Sequence, residues 1–252
     1  MEHCCKYITS FSSQAPKGIE STIAEHKVYI TSPDHSQNDI VVVIIPDIFG
    51  WSLTNTRVLA DAYAAQAGVR VYVPDFYAGD HAPFDKTALK NFDLNQFISK
   101  HPPREKRDEV EHVAKAIKES SKAHRLAAIG FCWGAPSALY MGRQGGVADG
   151  VSFAHPSLVQ DDDFSALAKP AMFICAEHDP IFTKEMENKA RSIMADKANA
   201  QGDNRVYSTW HTFLGTQHHF ATRGDEDDPY TARAMKDAQC LASNFFKSFR
   251  GD

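Results

Sequence analysis

Short, uninterrupted apolar runs alternate with stretches of helical periodicity, and this alternation constrains the chain more than any other feature. The runs lie at residues 40–45 (IVVVII), 69–73, 126–129, 151–153, 171–175 and 206–210. Continuous apolar runs suit strands covered on both faces, as in parallel sheets, whereas half-exposed strands alternate. Between them, residues 54–67, 104–121, 135–142, 184–197 and 230–249 carry apolar residues at helical spacing, and Gly68 is placed to cap the first. The pattern predicts an α/β fold with a mostly parallel central sheet flanked by helices on both faces. With 252 residues and no repeat or linker, a single domain spanning residues 1–252 is expected.

Composition removes several classes. The net charge is −5 and no basic block occurs, which argues against nucleic-acid binding. No apolar run approaches the roughly 18 residues of a membrane span. The start, Met1-Glu2-His3-Cys4-Cys5-Lys6, lacks the apolar core of a signal peptide, so a cytoplasmic location is expected. The five cysteines, two of them adjacent, are an odd count and suggest free thiols. The less regular segment 78–103 leaves the end of the 69–73 strand. It is placed either to wall a pocket or to make a plain surface excursion.

The sharpest local signal is Gly130-Phe131-Cys132-Trp133-Gly134, between a strand and a helix. A nucleophile flanked two residues away by glycines, in a strand–turn–helix setting, is the nucleophile elbow of α/β hydrolases. The turn is tight, and side chains at the glycine positions would collide with the neighbouring strand and helix. The helix dipole favours thiolate at Cys132. The competing reading is a small buried residue in a glycine-rich turn.

A nucleophile needs a base, and the base an orienting acid. Asp179 follows the 171–175 strand, and His218-His219 follow the 206–210 strand, so Cys132, Asp179 and either histidine have the chain order of an α/β hydrolase triad. Asp179-Pro180 also reads as a plain turn. Adjacent histidines without a third ligand at helical spacing make a poor metal site, so no metal and no cofactor are expected. The oxyanion hole is expected from the amides of Trp133 and Ile48, the latter following the 40–45 strand. Asp47 would then stand near the thiol, or simply cap its turn.

Together these residues resemble the dienelactone hydrolase (carboxymethylenebutenolidase) family, in its eukaryotic, largely fungal branch. The resemblance runs from Cys4-Cys5 and Pro16-Lys17-Gly18 through Pro46-Asp47-Ile48-Phe49-Gly50, Val73-Pro74-Asp75-Phe76-Tyr77, the Cys132 elbow, Ala154-His155-Pro156-Ser157 and Asp179-Pro180-Ile181-Phe182 to His218-His219-Phe220-Ala221-Thr222-Arg223-Gly224-Asp225. It implies an α/β-hydrolase fold and selects His218 as the base, with His219 where the family has a small residue. It implies thiolate attack on a lactone or ester, an acyl-enzyme and hydrolysis. It also suggests Asp47, Phe49, Trp51, Tyr77, His155 and Arg223 as substrate-binding residues. The expected partner is a small lactone or ester, and the expected state is a monomer or homodimer. Asp47 replaces the bacterial Glu that contacts the resting thiol, and Gly79 replaces an Arg that grips a substrate carboxylate. Arg223 lies one residue later than the other such Arg, and Ala135 replaces a second elbow glycine. These departures bear on which carbonyl compound is cleaved. Two other readings fit the same residues: hydrolysis of another acyl substrate, such as a thioester, or a silent member that binds a ligand.

Overall fold

The computed structural model describes residues 14–33 and 39–251. Cys4 and Cys5 lie outside them. The elements run β1 (Ile19–Ile23), β2 (His26–Thr31), β3 (Ile40–Ile45), α1 (Thr54–Ala67), β4 (Arg70–Pro74), α2 (Lys86–Lys90), α3 (Leu94–Lys100), α4 (Arg107–Ser121) and β5 (Arg125–Phe131). After a 3₁₀ turn at Cys132–Gly134 come α5 (Ala135–Met141), β6 (Gly150–Ala154), α6 (Asp161–Ser165), β7 (Ala171–His178) and α7 (Lys184–Ala198). The chain closes with β8 (Ser208–Gln217), α8 (Phe220–Arg223) and α9 (Pro229–Lys247).

The sheet order is β1-β2-β4-β3-β5-β6-β7-β8. From β4 to β8 every pairing is parallel, while β1 and β2 join antiparallel at one edge. Alternate residues of the central strands face opposite layers, so each face buries its own core. Val41, Val43, Ala128, Val151 and Phe173 meet α4, α5 and α7 through Val113, Leu139 and Met194. Ile40, Val42, Ile44, Ala127 and Ile129 meet α1 and α9 through Leu59, Tyr63, Ala238 and Phe246. This is the α/β architecture expected from the apolar runs.

The edges differ from expectation for a physical reason. β1 is almost wholly exposed and β2 mixes buried, half-buried and exposed positions, so neither presents a long continuous apolar run. β8 extends to Gln217, well past residue 210, because an edge strand is covered on one side only and keeps polar residues. Residues 104–106 are turn, not helix, and α4 begins at Arg107. Gly68 caps α1 at φ +69°, donating to the Ala64 carbonyl at 3.0 Å.

Candidate active site

The turn after β5 holds Cys132 at φ +49°, a left-handed conformation rare for a non-glycine residue. Its flanking glycines leave no room for a side chain. A Cβ at Gly130 would sit 2.3 Å from the Gly134 carbonyl oxygen, and one at Gly134 would sit 2.2 Å from that of Ile45 in β3. Cys132 is therefore lifted above the carboxyl end of the sheet at the start of the α5 segment, 6% exposed.

Asp179 and His218 come from the ends of β7 and β8. Asp179 Oδ1 accepts from the amides of Ile181 (2.9 Å) and Phe182 (3.0 Å), which fixes the carboxylate's rotation. Its Oδ2 lies 2.8 Å from His218 Nδ1. The turn-forming reading and the partner reading of Asp179 thus coexist in one residue. Ser157 touches both His218 and Cys132; it lies in a motif of the sequence but carried no predicted role. Its Oγ is 3.1 Å from Cys132 Sγ and 3.4 Å from His218 Nε2. Its amide also donates to the Cys132 carbonyl at 3.0 Å. Burial alone would lower the His218 pKa, but the charge on Cys132 and the Asp179 hydrogen bond outweigh it and raise it to about 9.

Asp47 caps its own turn, and the thiol is not among its hydrogen-bond partners within the described residues. Oδ1 accepts from the Phe49 amide at 3.0 Å, and Oδ2 pairs with Arg223 Nε at 2.9 Å. Arg223 is 1% exposed and lies over the Phe49 ring, 4.4 Å from its centroid. Tyr77, equally buried, donates its hydroxyl to the Asp47 carbonyl at 3.0 Å and sets its ring against Trp133. Phe49 is fully buried. Tyr77 and Phe49 thus brace the loop that carries Ile48. The Ile48 amide has no hydrogen-bond partner among the described residues, while its carbonyl accepts from Ala82. Trp51 lines a cavity of about 510 Å³ together with Tyr77, Gly79, His81 and His101, so the 78–103 segment does wall a pocket.

His155 is fully buried beneath His218, ring centroids 5.0 Å apart, with both ring nitrogens unbonded among the described residues. Burial, then the neighbouring His218, His219 and Arg223, push its pKa well below the usual value. His219 adopts φ +75° and contacts the His218 carbonyl through Nδ1. It too is held neutral, by burial and by Arg223 and His218. Among the described residues no cluster of His, Cys, Asp or Glu could hold a metal ion, and no helix is long and apolar enough to cross a membrane. Cys132, Cys175 and Cys240 are free thiols.

A sequence model of the Dienelactone hydrolase family matches residues 26–250. The chain belongs to the dienelactone hydrolase family. Its relatives include the carboxymethylenebutenolidase homologue of Xenopus tropicalis, 30% identical over 84% of this chain and 82% of that protein. The hydrolase tropI of Talaromyces stipitatus is 26% identical over 98% of this chain and 96% of its own length. Among solved structures, a putative dienelactone hydrolase from Klebsiella pneumoniae superposes with a TM-score of 0.70 at 21% identity, covering 92% of this chain and 99% of that one. As a dienelactone hydrolase family member, the chain is a hydrolase acting on lactone or ester bonds.

Proposed function

We propose that this chain hydrolyses a lactone or small activated ester through Cys132, His218 and Asp179, by way of an acyl-enzyme. The observation that carries the reading is the continuous contact from Asp179 through His218 and Ser157 to the Cys132 thiol, at the end of a strained elbow. Thiolate Sγ attacks the carbonyl carbon, and the carbonyl electron pair moves to oxygen. The amides of Ile48 and Trp133 stabilise that oxyanion; a helix's first amides lack intrahelical partners, and Ile48's is unclaimed. The C–O bond then breaks, and the leaving oxygen takes its proton from His218. Water attacks the thioester while His218 accepts its proton, and Sγ leaves. Asp179 keeps Nδ1–H engaged, so that Nε2 faces the chemistry in both halves. Asp47, Phe49 and Tyr77 serve by fixing the Ile48 loop, with Arg223 as the buried counter-ion of Asp47. Trp51 is a wall of the neighbouring cavity, and His155 packs behind the base.

The test compares wild type with Cys132→Ala on p-nitrophenyl acetate and on a dienelactone. Loss of the nucleophile is expected to lower turnover by ~10³ or more. Turnover unchanged in Cys132→Ala would overturn the assignment. An ester cleaved without the dienelactone would keep the triad and point to another acyl compound.

A further inference from the structure

An open apolar cleft of about 570 Å³ lies beside the Cys132–Ser157–His218–Asp179 chain, apart from the Trp51 cavity. Its walls come from the loops that carry two of those residues. Leu158 and Val159 follow Ser157 directly, and Pro180 and Ile181 follow Asp179. Ile98, Pro102, Pro103 and Met186 complete it. Leu158 is held at φ +59°, a conformation that non-glycine residues keep only where the surroundings impose it and that gathers at ligand sites.

The cation at the cleft is already paired. Arg104, the only cation among the described wall residues, pairs with Asp162 at 2.6 Å and Asp163 at 2.7 Å. Glu105 adds a negative group. Arg223 is sealed against Asp47. A carboxylate entering here would meet another carboxylate and an arginine already held by two. A hydrocarbon would meet leucine, isoleucine, methionine and proline. Clefts of this size and lining suit apolar ligand groups. The carbonyl carbon of a substrate would bond to Sγ, 3.1 Å from the Ser157 hydroxyl, and the next residue, Leu158, lines the cleft.

We infer that this cleft receives an uncharged hydrocarbon or aryl acyl arm, making the chain selective for neutral, apolar acyl esters or lactones over small or anionic ones. The inference rests on the hydrolase reading above and narrows its substrate class. Its test is kcat/KM across p-nitrophenyl acetate, butyrate, hexanoate and octanoate, with the anionic hemiglutarate set against pentanoate. Burial of methylenes predicts a rise of up to roughly fourfold per CH₂ while the cleft fills, and a slower hemiglutarate. Met186→Asp is expected to lower the octanoate-to-acetate ratio by about tenfold or more. The third position of α7 accepts a carboxylate near the helix's positive end, which offsets part of the packing lost with Met186. Turnover that depends on Cys132 yet is flat with chain length, or a ratio unmoved by Met186→Asp, overturns the cleft and leaves the hydrolase reading intact. If no ester turns over, the hydrolase reading falls, and the cleft is tested by 2-alkanones protecting Cys132 from iodoacetamide. Protection that grows with alkyl length supports it; equal protection overturns it.

Discussion

The Ser157 hydroxyl touches both the thiol and the imidazole, so its removal separates two ways of coupling them. If the hydroxyl orders the pair, Ser157→Ala should lower kcat by about tenfold, the weight of one hydrogen bond to a charged group. Ser157→Thr, which keeps the hydroxyl, should recover part of it. Steady-state kinetics on p-nitrophenyl acetate checks this, and a kcat equal to wild type would show Ser157 to be a bystander. Cys132 and Asp179 stood out in the sequence because they lie just beyond strand-forming runs, and strand ends gather in space; the runs left His218 and His219 open, and only the family resemblance selected His218. Ser157 was not legible as a site residue. Its place depends on a loop bent by His155 at φ +39° and Leu158 at φ +59°, and neither residue type signals such a bend. Likewise, the resemblance suggested Arg223 as a substrate-binding residue; only the fold brings the Asp47 carboxylate to it across 176 residues.

Among the elements, the elbow makes the strictest demand. Gly134→Ala would drive a methyl group to 2.2 Å from a backbone carbonyl of β3, an atom that cannot swing aside. The expected cost is about 1–3 kcal/mol of stability or more, with loss of activity as Cys132 shifts. Thermal unfolding and ester turnover of the variant report both effects. A wild-type Tm would mean that the elbow is looser than its contacts indicate. The central strands β3, β5, β6 and β7 were legible because both faces are covered, so their buried stretches are largely apolar. β1, β2 and most of β8 were not, since strands at a sheet edge or next to it are less fully covered and carry the mixed residues of a surface.

For the molecule as a whole, three buried histidines give stability a two-sided pH dependence. His155 and His219 have pKa values depressed below the ordinary 6.5, so below that pH the unfolded chain takes protons that the folded chain refuses. Their contribution is present above pH 6.5 and lost as pH falls from there. His218 acts oppositely, since its pKa is raised to about 9. Its contribution is complete below pH 6.5 and disappears as pH rises through about 9. His155→Phe, which places a ring among Phe131 and Phe220 without a proton-binding site, should flatten the acid side of a Tm–pH profile. An unchanged acid side would assign that loss of stability to other groups.

The hydrolase reading turns on Cys132 carrying the acyl group. It is tested most directly by mixing the protein with p-nitrophenyl acetate, quenching in acid during turnover, and weighing the intact chain and its peptides. The mass gain of one acetyl group is expected on the peptide holding Cys132, gone once substrate is exhausted and absent in Cys132→Ala. Turnover with no adduct on that peptide, or with the adduct on another residue, would contradict it.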